Sequence, residues 1–349
     1  MTPRAIDLVR QDCRDALQGR EGLLSELKGS RLLVTGGTGF MGTWLAELVA
    51  CLNDEHGYGV GLTLLSRSTD RFSMELPHLA GRPDVALLKA DVRHVVEIPQ
   101  DTRFVVHAAA SPDNRAHATE PVETMELIAN GTSAVLRAVG RCSSFSRLLN
   151  LSSALVSGRQ GPEHPALSEA AAEAPPVGEV GSAYGEAKRY AETLCGAARS
   201  QYKVPVVTAR PFAFVGPFMQ LDRPWAVTDF LRDAMTGQAI RVLGDGQTVR
   251  SYLYGSEAAF WLLRTLVAGV PGRAYNVGSP EAVTLESLAQ LIAAQFSPRP
   301  EVRLNAGGAA VQKTRLVPDL GRARRELGLE ARIDLASAIQ RTVAWHRVR

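Results

Sequence analysis

The sequence predicts an α/β fold built on a doubly wound parallel sheet, followed by a smaller C-terminal α/β domain. Three observations carry this. Short apolar runs recur without strict polar alternation, as strands do when both faces of a parallel sheet are covered. Segments of helical periodicity separate them. The first run stops in a glycine-rich turn, Thr35-Gly36-Gly37-Thr38-Gly39-Phe40-Met41-Gly42, that leads into a helix-prone stretch.

The elements follow in order. Residues 5–28 are polar and helix-prone, with a partial apolar stripe of Ile6, Leu8, Val9, Cys13, Leu17 and Leu24. Strands are expected at 31–35, 62–66, 85–89, 104–107, 147–151 and 204–209, with helices at 40–52, 122–141 and 183–200. After Pro211 prolines and glycines cut the chain into shorter pieces, with helices expected at 227–236, 256–267, 285–294 and 335–346. The division read from this is a helical extension at 1–29 and a Rossmann-type dinucleotide-binding domain at 30–211, with a returning segment near 250–277. A substrate domain at 212–349 completes it.

Composition excludes several classes. The 349 residues are 45% hydrophobic and 21% charged with a formal charge of +3, ordinary for a globular chain and too even for disorder. No apolar run is long enough to span a membrane. The charge is spread along the chain, so there is no nucleic-acid footprint. Cys13, Cys51, Cys142 and Cys195 lie far apart, with no C-x-x-C pair and no His to complete a zinc site. No metal is expected. Buried thiols in a reduced, cytoplasmic compartment are the reading these cysteines support.

Gly36, Gly39 and Gly42 stand at G-x-x-G-x-x-G spacing between a strand and a helix. Gly36 suits a tight turn, Gly39 the approach of backbone N–H groups to a pyrophosphate, and Gly42 close packing of helix on strand. The second strand ends Ser66-Arg67 with no acidic residue, where a carboxylate usually binds ribose hydroxyls. Arg67 is either the partner of a 2′-phosphate, which favours NADP over NAD, or a solvated loop cation. Asp91 either contacts an adenine ring or caps the next helix.

Tyr184 and Lys188 are four apart on an expected helix, hence one turn apart on one face. A phenol with a reference pKa near 10 is a poor base, and a nearby ammonium would favour the phenolate. Tyr184 would then exchange a proton with a sugar hydroxyl, with Lys188 also holding the nicotinamide ribose. Ser153 follows the fifth strand, at the end of a parallel sheet where ligands bind, and can hydrogen-bond the reacting oxygen.

Taken together, these residues resemble the extended short-chain dehydrogenase/reductase superfamily, in its NAD-dependent epimerase/dehydratase group acting on nucleotide sugars. The matching stretches are 35–42, Asp91-Val92, His107-Ala108-Ala109-Ala110, Asn130-Gly131-Thr132, 151–153, 184–188, 210–217, Arg250 and 275–278. The resemblance implies a Ser153-Tyr184-Lys188 triad and a small nucleotide-sugar domain. It extends the dinucleotide site to Thr38, Phe40, Met41, Val92, Ala108, Ala109, Ala110 and Pro211. It places Ser111, Ser153, Phe212, Ala213 and Arg250 in the substrate site, Ser111 at the sugar near the nicotinamide, Ser153 at the reacting oxygen and Arg250 on the diphosphate, with Lys313 and Arg315 as added positive charge. His107 and Asn130 are read as structural, Asn130 tying backbone groups inside its helix.

Departures narrow the expectation. Relatives that dehydrate carry a Glu just after the triad Ser/Thr, and so do decarboxylases that resemble the family. Here Ala154 and Leu155 stand there, so such a base would have to come from elsewhere, such as Glu163 or Glu169. Ala213 replaces an Asn that often contacts the diphosphate. The reading is therefore a C4 epimerase of a nucleotide-diphosphate hexose. An NADPH-dependent 4-keto-sugar reductase is the alternative, and a non-catalytic sensor the reading from another class. The resemblance also implies a homodimer through helices 122–141 and 183–200, with Ala183, Ala187, Ala191, Ala197 and Ala198 permitting close packing.

Overall fold

The computed structural model describes residues 1–111, 113–158, 160–161, 164–171, 173, 177–305 and 314–349. Its main sheet has seven parallel strands: β1 (Arg31–Thr35), β2 (Gly61–Ser66), β3 (Val85–Lys89), β4 (Phe104–His107), β5 (Arg147–Leu151), β6 (Val206–Pro211) and β7 (Ala274–Val277). Their order is β7-β6-β5-β4-β1-β2-β3. The order reverses between β1 and β4, which opens a crevice at their carboxyl ends.

Both faces of this sheet are covered, which explains the unbroken apolar runs. On one face Leu32, Val34, Leu64, Val106 and Leu149 join a core completed by α1 (Pro3–Leu17), α2 (Phe40–His56), α5 (Gly255–Ala268) and α6 (Leu335–Val348). On the other face Leu33, Leu65, Val105, Leu148 and Val206 pack under α3 (Pro121–Val139) and α4 (Ala183–Gln201). Successive residues of each strand thus enter opposite cores, as the period of two requires.

The N-terminal segment is part of the first layer. Ala5, Val9, Cys13, Ala16 and Leu17 of α1 are buried. The Tyr254 hydroxyl donates to Asp12 Oδ2 at 2.6 Å, and Arg341 Nη1 donates to Oδ1 at 2.7 Å. Burial lifts the Asp12 carboxyl to about 6, with both partners opposing that rise.

Two expectations shift by a few residues. The sixth strand begins at Val206, not Val204, because Pro205 has no N–H to give the ladder, although its carbonyl accepts from Leu148 at 3.0 Å. Helix α2 runs on to His56 and stops at Gly57, whose φ of 63° is left-handed. Strand β7 returns from the C-terminal half to pair with β6, Asn276 opposite Arg210. Smaller strands build the remainder. Ala213–Val215 pairs with Tyr252–Tyr254, and Val249–Arg250 lies between Val283–Thr284 and Arg315–Leu316.

Within the chain, alanines of α4 pack on α3. Ala187 and Ala191 are buried against Ile128 of α3, and Ala183 and Ala198 are also buried within the chain, leaving Ala197 exposed. Small side chains let α3 and α4 approach each other, and Ala187, Ala191 and Ala198 lie in cores shared with α3. No described helix is long and apolar enough to cross a membrane. All four cysteines are buried and unpaired, and no metal-binding cluster occurs among the described residues.

Candidate active site at the strand ends

The glycine turn is shaped by what surrounds each Cα. Gly36 has φ of 67°, and a Cβ there would lie 2.9 Å from the Ala108 carbonyl oxygen. A Cβ on Gly42 would lie 2.3 Å from the Gly37 oxygen. At Gly39, the N-cap of α2, a Cβ would meet one atom, the Gly36 oxygen at 3.3 Å, and otherwise open space. The turn is therefore closed by protein at Gly36 and Gly42 and open at Gly39. There the first-turn amides of Phe40 and Met41 lack helical acceptors, an arrangement that fits a dinucleotide pyrophosphate.

The crevice continues along β2. Thr38 Oγ1 donates to Ser66 Oγ at 2.7 Å, which ties the turn to the strand end. Arg67 is exposed and has no ion pair among the described residues, though its charge is felt at Asp91. Asp91 caps the short turn Val92–His94 and is gripped by Arg93, Nη2 to Oδ2 at 2.7 Å. That guanidinium holds its carboxyl down at about 2. The capping role is thus observed. Val92 is buried and occupies the space a Gly131 side chain would need, 2.8 Å from its Cβ position.

Thr35 and His107 are paired across β1 and β4. His107 Nδ1 lies 2.8 Å from Thr35 Oγ1, and Nε2 lies 3.1 Å from Thr132 Oγ1. The Thr132 proton goes to the Ile128 carbonyl at 2.7 Å, so Nε2 carries hydrogen and Nδ1 accepts from Thr35. Thr35 Oγ1 in turn accepts from the Ala109 amide at 3.3 Å. Burial, then the Lys188 charge, depress His107 to about 3. It is a neutral brace that shapes the Ala108–Ala110 turn, not a base.

Thr132 is the residue that sequence reasoning missed. Asn130, assigned a tying role, is exposed with no hydrogen bond among the described residues, because its side of α3 faces solvent. The bond comes from two residues further on, where the helix turns inward. The signal was present, since a hydroxyl in an otherwise apolar inward stripe needs a polar partner.

The triad candidates come together. Ser153, 9% exposed, accepts from the Leu155 amide at 3.2 Å and faces the Tyr184 hydroxyl. Lys188 Nζ donates to the Leu151 carbonyl at 2.7 Å and lies 5.9 Å from the Tyr184 ring centre. Ala110 packs beside Tyr184, Ile128 and Ala187. The electrostatics differ from the expectation. Burial pushes the Tyr184 phenol up to about 12, and what opposes it is the Ser153 hydroxyl. Lys188 is not among the groups that lower it, and burial pulls the Lys188 ammonium itself down to about 8.

The sugar-side candidates spread more widely. Phe212 is buried with Ala154 and Leu167, and its amide donates to the Val277 carbonyl at 2.9 Å. Pro211 and Ala213 flank it, half-buried. Arg250 donates to the Val249 carbonyl at 2.8 Å and to Thr314 Oγ1 at 2.9 Å, with no carboxylate partner among the described residues. Burial lowers its basicity. Arg315 Nε donates to the Pro165 carbonyl at 2.9 Å. Ser111 Oγ accepts from the Asp113 amide at 3.4 Å. Lys313 and Glu163 lie outside the described residues. The Glu169 side chain is buried and serves as a structural acceptor. Its Oε1 takes the Asn276 amide at 3.0 Å, and Arg322 stands 3.8 Å from Oε2.

A doubly wound sheet with Ser, Tyr and Lys gathered at its strand ends defines an extended short-chain dehydrogenase/reductase. The chain belongs to the NAD dependent epimerase/dehydratase family, whose sequence profile matches residues 32–278. Among its relatives is UDP-glucuronic acid decarboxylase 1 of Danio rerio, 29% identical over 323 residues, 92% of this chain and 74% of that protein. The fold is similar to an epimerase of Methanothermobacter thermautotrophicus (TM-score 0.82, 21% identity, covering 95% of this chain and 96% of that one). It is also similar to the UDP-glucose 4-epimerase of Thermotoga maritima (TM-score 0.77, 19% identity, covering 91% and 98%).

Proposed function

We propose that this protein epimerises a nucleotide-diphosphate hexose at C4 by transient oxidation and re-reduction. The supporting observation is the strand-end composition. Ala154 and Leu155 follow Ser153, and Glu169 is engaged with the Asn276 amide and Arg322. With no carboxylate in the two positions after Ser153, the described residues of the triad suit proton exchange on oxygen.

In this reading Tyr184 exchanges the proton of the C4 hydroxyl and Ser153 hydrogen-bonds the same oxygen. Lys188, anchored on the Leu151 carbonyl, holds the ribose beside the triad. Arg250, free of carboxylates among the described residues, takes the sugar diphosphate. A dinucleotide held by Gly36–Gly42, Ser66, Arg67 and the Ala108–Ala110 turn supplies reversible hydride acceptance. Arg67 favours NADP there. The exposed Val122, Met125 and Tyr190 on α3 and α4 favour a homodimer, tested by light scattering.

A second reading is reduction of a 4-keto sugar by NADPH. It is favoured by Arg67 and by a phenol held near 12, which suits proton donation better than abstraction. One experiment separates the readings. The purified protein is denatured to identify any released dinucleotide by mass. Intact protein is incubated with UDP-glucose, UDP-glucuronic acid and a 4-keto sugar nucleotide. An isomer of unchanged mass with bound, recycled dinucleotide supports epimerisation. NADPH consumption selects the reductase. Loss of CO2 overturns both in favour of the relatives' decarboxylation, loss of water favours dehydration, and binding without conversion leaves a sensor.

A further inference from the structure

Tyr184 has an aromatic neighbour that the triad does not account for. The His117 imidazole lies on the phenol ring with centroids 4.2 Å apart and planes 16° apart. His117 sits on the one-and-a-half-turn helix Asn114–Thr119. Its Nε2 lies 2.7 Å from the Ser111 carbonyl oxygen, which makes Nε2 the protonated nitrogen and fixes the ring plane. Asp113 caps that helix by accepting from the Arg115 amide at 2.9 Å. It also reaches across to the C-terminal half, its Oδ2 3.0 Å from Arg223 Nη1.

A tyrosine ring has a broad, nearly two-fold torsion about its last bond, so packing must fix its tilt. The neighbours that α3, α4 and the β4 turn offer Tyr184 are Ile128, Ala187, Ala191 and Ala110, three of them single methyl groups. None of them offers the phenol a flat surface. The imidazole supplies the missing flat surface.

We propose that His117 is a positioning residue for Tyr184: its stacked ring fixes the tilt that keeps the phenol hydroxyl at Ser153, and the Asp113–Arg223 ion pair ties that brace to segment 220–225. This rests on Tyr184 moving the proton, as in the function proposed above. A misplacement of about 1 Å in a reacting group slows turnover on the order of 100-fold.

The test compares His117→Ala with His117→Phe, which keeps a flat ring and loses the Nε2 hydrogen bond. His117→Leu replaces the alanine variant should that fail to fold. The readouts are kcat, KM, bound dinucleotide, and ultraviolet titration of Tyr184 against a Tyr184→Phe reference. Expected for His117→Ala is a roughly 10- to 100-fold fall in kcat, with KM and dinucleotide content within about two-fold. His117→Phe should recover most of kcat. The Tyr184 titration midpoint should move in the alanine variant and return in the phenylalanine one. Unchanged kcat and midpoint in His117→Ala, or equal loss in both variants, overturns the proposal. If no sugar nucleotide is turned over even by the native protein, the proposed function fails. The titration needs no turnover and still decides whether His117 sets the environment of Tyr184.

Discussion

Lys188 Nζ donates to the carbonyl oxygen of Leu151 at 2.7 Å, so a side chain of α4 is anchored on the end of β5, two residues before Ser153. This one bond fixes the spacing between the helix that carries Tyr184 and the strand that leads to Ser153. It also holds a cation in a place where burial disfavours it.

That strain has a measurable sign. Lys188 titrates near 8 in the native chain and near 10.5 when unfolded. Below pH 8 both states are protonated and the burial penalty is fully present, about 3 kcal/mol. Between the two values the unfolded chain holds the extra proton, so native stability rises with pH. Lys188→Met should therefore melt no lower than the native protein at pH 7 while losing at least about 100-fold in turnover. Its advantage should shrink as pH rises through that window. A clear fall in melting temperature with turnover retained would show that Lys188 is structural.

The His107 brace predicts a contrast within one motif. Thr132→Val removes the acceptor of a buried Nε2–H and should destabilise by about 1–3 kcal/mol, measured by denaturant unfolding. Asn130→Ala changes an exposed side chain and should stay within about 0.5 kcal/mol. Equal effects would contradict the network.

His107 also sets an acid limit. Its native value is about 3 against 6.5 unfolded, so between them the unfolded chain binds the extra proton. Stability should decline as pH falls below 6.5, by about 1.4 kcal/mol per pH unit at most from this group. In His107→Gln the acid limb of melting temperature against pH should be shallower, whatever the absolute stability. An identical slope would remove His107 as its cause.

Two glycines of the turn should respond differently to alanine. Gly36→Ala forces a side chain into a left-handed backbone 2.9 Å from the Ala108 oxygen, and should unfold or aggregate. Gly39→Ala meets one oxygen at 3.3 Å and should fold, yet lose dinucleotide, because the methyl fills the open side of the turn. Calorimetry with NAD and NADP checks both. A Gly39→Ala protein that binds dinucleotide as tightly as the native one would move the pyrophosphate elsewhere.

The proposed role of Arg67 at a 2′-phosphate makes cofactor preference a direct test. Arg67→Ser should weaken NADP binding by roughly 10- to 100-fold, the value of a charged hydrogen bond, and leave NAD within about two-fold. Equal affinities for the two dinucleotides in native protein and variant would make Arg67 a solvated cation.

The sequence by itself determined the order of strands and helices, the glycine turn and the Tyr184–Lys188 spacing. These are local quantities, set by the periods of helix and strand, by chirality at glycine and by the chain-order logic of parallel crossovers. Gly36, Gly39, Ser153 and Lys188 were legible because each needs a particular residue type at a particular strand or helix end. Only the tertiary structure decided that Thr132 and not Asn130 braces His107, that Glu169 is engaged by Asn276 and Arg322, and that Ala187 and Ala191 of α4 pack on α3. It alone brought His117 onto Tyr184, and it reversed the expected direction of the Tyr184 shift. Those outcomes depend on which side of a helix is buried and how much water a pocket retains, and neither is encoded within a few residues of the group concerned.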